Sequence, residues 1–89
     1  MHLYTNETRT EWAIAESLED ANAVMREHAE QFSPEYRDQY NDPMIEQWPD
    51  DKAFGYRDVS RSAKGKVVRM LPAKWAAKHG RGHLVSVEE

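Results

Sequence analysis

The chain has 89 residues, no cysteine and a formal net charge of −4. That length holds one domain around one core, and the lack of thiols excludes disulfides and thiolate metal sites. No apolar run approaches the length of a membrane span, and MHLYTNETRT lacks the basic and apolar regions of a signal peptide, so a cytoplasmic location and no membrane partner are expected.

In chain order, His2 to Thr5 reads as a short strand. The turn-prone Asn6, Glu7 and Thr8 lead into a second strand over Thr10–Glu16, in which Trp12 and Ile14 alternate with polar or small neighbours. Ser17 supplies an N-cap oxygen and Asp20 follows three residues later, a near capping box with Asp in place of Glu or Gln. Leu18, Ala21, Val24, Met25, Ala29 and Phe32 then share one helical face, while Glu19, Asp20, Glu27 and Glu30 fall mostly on the other. This strand–cap–helix unit is the organising stretch of the chain. It predicts that Trp12, Ile14, Leu18, Val24, Met25 and Phe32 are buried together.

Ser33 and Pro34 begin a short helical turn carrying Tyr36 and Tyr40, and Asn41-Asp42-Pro43 breaks it. Pro43 to Asp51 has no clear period and closes in a turn at Trp48-Pro49-Asp50-Asp51. A strand is expected over Lys52–Val59, with Phe54 and Tyr56 on one side, followed by a polar loop over Ser60–Gly65 and a strand over Lys66–Met70. Pro72 starts a short helix bearing Trp75, Gly80 caps it, and His83–Val87 forms a last strand. The order β-β-α-(short α)-β-β-α-β predicts a single α+β domain over residues 1–89. It would have a largely antiparallel sheet, one main helix and one or two short helices on one face. The alternative leaves residues 33–51 loosely ordered.

Two blocks together, TEWAIAESLEDA and LPAKWAAKHGRGHLVSVEE, resemble a group of uncharacterised small proteins of bacteriophages and prophages. The resemblance lies in Thr10, Glu11, Trp12, Ala15, Glu16, Ser17, Glu19, Asp20 and Ala21, and in Trp75, Gly80, Arg81, Gly82, Ser86 and Glu88. Glu89 stands where an aromatic is frequent in the group. The resemblance implies a phage origin and an accessory role, and brings no activity with it.

Charge is divided along the chain. Residues 1–51 carry three basic against thirteen acidic side chains, and residues 52–89 carry nine basic against three acidic. Either the halves neutralise each other inside the fold, or faces of opposite sign steer a partner. The basic residues Arg57, Arg61, Lys66, Arg69, Lys78 and Arg81, with the aromatic Trp75, are the candidate partner-binding set. Cations with interleaved aromatics suit phosphates and bases, but a solvated basic surface is the plainer reading, and the acidic first half would repel a polyanion.

His79 and His83, four apart, could share a metal with His2, His28 or a carboxylate, but glycines interrupt the helical spacing, and a cap followed by a turn fits the same residues. Gly80-Arg81-Gly82 follows a helix instead of leading into one, unlike a phosphate loop. Neither a nucleophile elbow nor a metalloprotease motif occurs. The expectation is therefore no enzyme, no cofactor and no metal. Instead, the sequence points to an accessory protein that binds a host protein as an inhibitor or modulator of defence or transcription. Nucleic-acid binding through the basic second half is the alternative, and a small metal protein or enzyme the third reading.

Overall fold

All four side chains of Trp12–Ala15 are buried, although a strand points its side chains alternately to opposite faces. Both faces of this strand are therefore covered. Trp12 and Ile14 pack with Leu3, Trp48, Phe54, Ala76 and Leu84, whereas Ala13 and Ala15 pack with Tyr4, Ala21, Val24, Met25 and Met44. The bulky face meets a second sheet and a short helix. The alanine face lets the main helix approach closely.

The structure, a computed structural model, describes residues 1–32, 43–57, 67–84 and 87–88. Its strands are β1 His2–Asn6, β2 Trp12–Ala15, β3 Met44–Gln47, β4 Phe54–Arg57, β5 Val67–Met70, β6 Gly82–Leu84 and β7 Val87–Glu88; the described helices are α1 Leu18–Phe32 and α2 Pro72–His79. A four-stranded sheet runs β3-β1-β2-β6 and a three-stranded sheet runs β5-β4-β7, and every pairing is antiparallel. The class is α+β, as the element order predicts. The expected helical turn at Ser33–Tyr40, the loop at Ser60–Gly65 and the side chain of Phe32 lie outside the described residues.

The layering departs from the expectation of helices on one face. α1 covers the Tyr4 and Ala13 side of the four-stranded sheet, and α2 packs Ala76 into the cluster on the opposite side. Trp12 and Ile14 are thus not buried with Val24 and Met25. Leu18 is 41% exposed because it holds the first helical position, where a side chain leaning toward the helix N-terminus finds no preceding turn to shelter it. The expected single strand at His83–Val87 is two strands, one in each sheet. Residues Met44–Gln47, without a readable period, form edge strand β3.

Local chemistry explains the joins. In the hairpin between β1 and β2, buried Asn6 accepts from the backbone N–H groups of Thr10 and Glu11 at 2.9 and 3.2 Å and donates to Thr10 Oγ1 at 3.0 Å. That side chain stands in for missing ladder partners, and Arg9 turns the loop at φ 57°. Ser17 Oγ accepts from Asp20 N–H at 3.0 Å, the cap that the sequence predicts. Asp20 Oδ2 accepts in return from Glu16 N–H at 3.1 Å. On the edge of β3, Asn22 Oδ1 accepts from Met44 N–H at 2.8 Å while Asn22 Nδ2 donates to Met44 O at 3.2 Å, tying α1 to the sheet. Gly80 closes α2 at φ 76° with its N–H donating to Ala76 O at 2.8 Å, and Pro72 opens it. The buried indoles of Trp12 and Trp48 donate to Arg9 O and Lys52 O, so neither N–H is left without an acceptor.

Candidate functional site

β6 pairs with β2 in the register Trp12–Leu84, Ala13–His83 and Ile14–Gly82. This pairing lays the TEWAIAESLEDA block against the GRGHL segment. His83 shares a sheet face with Ala13, and that face is the one α1 covers. Titratable groups from both blocks consequently gather beside the helix.

Arg81 forms the first group. Its Nε lies 3.0 Å from each Asp20 carboxylate oxygen, a terminal nitrogen lies 2.9 Å from Asp20 Oδ1, and the other reaches Glu27 Oε2 at 2.9 Å. Such a fork holds carboxylates with directional hydrogen bonds as well as charge. The Arg81 bond first, then the Glu16 N–H, holds the Asp20 carboxyl below the usual carboxylate range. The bonds from Asp20 and Glu27 push the Arg81 guanidinium further up. At this seam one cation of the second half meets two carboxylates of the first.

Histidines form the second group. The His28 and His83 rings stack with centroids 3.9 Å apart and planes 26° apart, and His83 Nε2 lies 3.0 Å from Glu11 Oε2. Burial and the neighbouring His83 lower the pKa of His28, and the Glu11 charge offsets part of that. A cleft of about 390 Å³ opens here, lined by Val24, Glu27, His28, Gln31, Gly82 and His83 along with Arg81. Carboxylate-oriented imidazole is suited to moving a proton. Among the described residues the lining offers no hydroxyl or thiol nucleophile. His79 belongs to a different environment, its ring 4.1 Å from that of Trp75, whereas His83 faces α1. Among the described residues no group of three or more His, Asp or Glu is arranged to hold a metal.

The sequence-predicted partner-binding residues are distributed over several surfaces. Arg81 is engaged at α1. Arg57 and Arg69 stand on the face of the three-stranded sheet opposite Tyr56, by the register Arg57–Val67 and Gly55–Arg69. Trp75 is half-buried on α2, its ring centroid 5.7 Å from Phe54 and 4.4 Å from Tyr56. Lys78 is exposed on α2. Arg61 and Lys66 lie outside the described residues. The sequence reading joined His28 to His83 only as possible ligands of a metal shared with His79, and it did not bring Glu11 to them. A signal for His28 existed: it follows Val24 by four residues and so falls on the covered stripe of α1, where a polar ring must meet a partner.

Among the described residues no helix is long and apolar enough to cross a membrane. No protein-family model matches the chain, and no curated protein or solved structure matches it.

Proposed function

We propose that this chain is a small binding protein whose partner is another protein, and that it acts as a phage-type accessory factor, an inhibitor or modulator of host defence or transcription. The observation that carries the choice of a protein partner is the engagement of Arg81 by Asp20 and Glu27. It takes one cation out of the basic second half; of the other described ones, Arg57 and Arg69 share a face of the three-stranded sheet while Lys74 and Lys78 lie on α2. A polyanion needs several phosphate contacts along one track. The exposed carboxylates of α1, Glu19, Glu27 and Glu30, further oppose one. The phage-type accessory role rests on the resemblance of the two sequence blocks, which meet at the β2–β6 pairing. Nucleic-acid binding is the second reading, supported by the exposed Arg69, Lys74 and Lys78.

The test is retention from bacterial lysate on immobilised protein, with and without nuclease, beside titration of defined duplex and single-stranded DNA. Retention of a defined protein after nuclease treatment is expected. Submicromolar DNA binding at physiological salt, lost when Arg57, Arg61, Lys66 and Arg69 are changed to Gln, would replace this reading with the second.

A further inference from the structure

The three-stranded sheet ends in β5, whose residues Val67, Val68 and Arg69 are exposed. Val67 and Val68 are 40% and 46% accessible, large values for β-branched residues inside a sheet. Edge strands usually carry protection against further pairing, such as a charge pointing inward, a proline or a bulge. The described part of β5 has neither a proline nor a bulge, and its one charge, Arg69, is exposed: its pairing with β4 runs in unbroken register from Phe54–Met70 to Arg57–Val67. Val68 lies directly across from Tyr56, so the two share a face. Tyr56 leans on Trp75, and Trp75 on His79. An apolar and aromatic surface thus runs from the sheet edge onto α2.

The cations that flank it are Arg69, on the opposite face of β5, and Lys74 and Lys78 on α2. Arg69, Lys74 and Lys78 are exposed and make no ion pair or side-chain hydrogen bond among the described residues. This contrasts with Arg81, which is fully engaged. Among the described residues no strand pairs with the outer side of β5; such an edge offers backbone donors and acceptors at strand spacing, and the flanking cations favour carboxylates.

We infer that β5 is the docking edge for an extended acidic peptide segment of a protein partner, added as a strand beside Val67–Met70 with its apolar side chains against Val68 and Trp75. The inference rests on the protein-binding reading and gives it a location. A second copy of the chain would fit the edge through its backbone alone, but a copy of β5 would place Arg69 near Arg69, like charge against like. Nucleic acid would use the cations and leave the valine edge without a role.

The test is an amide-resolved NMR titration of the full chain with an acetylated, amidated Glu-Val-Glu-Val-Glu-Val peptide. The same peptide with Lys for Glu, a version N-methylated at alternate residues, and an eight-residue oligothymidine serve as comparisons. The expected result is saturable shifts confined to Val67–Met70 and the Trp75 indole, at least tenfold weaker with the Lys peptide and lost with the N-methylated one. Val68→Glu with Arg69→Glu should reduce the affinity at least tenfold while leaving the far-UV circular dichroism and thermal midpoint unchanged. Equal binding of the Glu and Lys peptides, shifts centred elsewhere, tighter binding of the oligothymidine, or concentration-dependent dimerisation through β5 would each overturn the inference. The lysate partner separates the two levels: if the double variant still retains it, the edge is not the site but protein binding stands. If the wild type retains no protein, the protein-binding reading itself fails.

Discussion

Asp20 and Arg81, 61 positions apart, meet in a forked ion pair at the N-terminal turn of α1. The same carboxylate accepts the Glu16 N–H at the entry to that helix. One side chain thus fixes the backbone just before the helix and anchors the turn that leads into β6. A negative charge is also favoured at this end of the helix dipole.

Acid should reveal the Asp20–Arg81 pair. Folding lowers the pKa of Asp20, so its contribution is full above about pH 4, the unfolded aspartate range, and is lost as pH falls through the folded value. Urea denaturation at stepped pH should show that loss, and Arg81→Gln should flatten it. Because the pair is partly exposed, the effect at neutral pH should be modest and should shrink with salt. Ser17→Ala, which removes only the cap, should cost about 1 kcal/mol at every pH.

Histidine titration occupies a separate window. His28 releases its proton more readily in the fold than in the unfolded chain. Its contribution is therefore full above about pH 6.5 and declines as pH falls through its lowered value. Ring-proton NMR should place the His28 midpoint below the ordinary histidine value, and His83→Gln should move it upward by removing a neighbour that lowers it.

Phe54 and Leu18 test the two-sided core. Phe54 is fully buried between the sheets, so Phe54→Ala should cost about 3–5 kcal/mol in urea unfolding. Leu18 is largely exposed, so Leu18→Ala should stay within about 0.5 kcal/mol. A large loss at Leu18 would place it in the core after all.

Asn22→Ala should leave the buried Met44 backbone without its two side-chain partners, at a cost of about 1–3 kcal/mol. Hydrogen exchange at Met44 should accelerate more than at Glu46 or Gln47. Asn22→Asp, which keeps an acceptor and loses the donor, should fall between.

Local rules made much of the fold legible. Ser17 with Asp20, Pro72 and Gly80 each mark a helix boundary through a hydrogen bond or a backbone angle that depends on near neighbours. The layering was harder to read. Bulky-small alternation in Trp12-Ala13-Ile14-Ala15 looks like a half-buried strand, but small residues can also mean a closely packed helix. Only contacts made at long range distinguish the two. The split of His83–Val87 between sheets has the same cause: each half is strand-forming, and the choice of sheet belongs to tertiary packing. The cluster of Glu11, His28 and His83 depends on the β2–β6 register, which periodicity does not encode.

Residues 82–88 supply a strand to each sheet, and every other described element precedes them in the chain. During synthesis β2 and β4 therefore wait with one side unpaired until this segment has left the ribosome. The waiting edge of β2 carries Trp12 and Ile14, side chains that the finished molecule hides from water. The nascent chain thus passes through a period of exposed apolar edge, when a chaperone or a neighbouring nascent chain can compete for it. Closure then depends on pairings between distant parts of the chain, which places this molecule among the slower folders of its size.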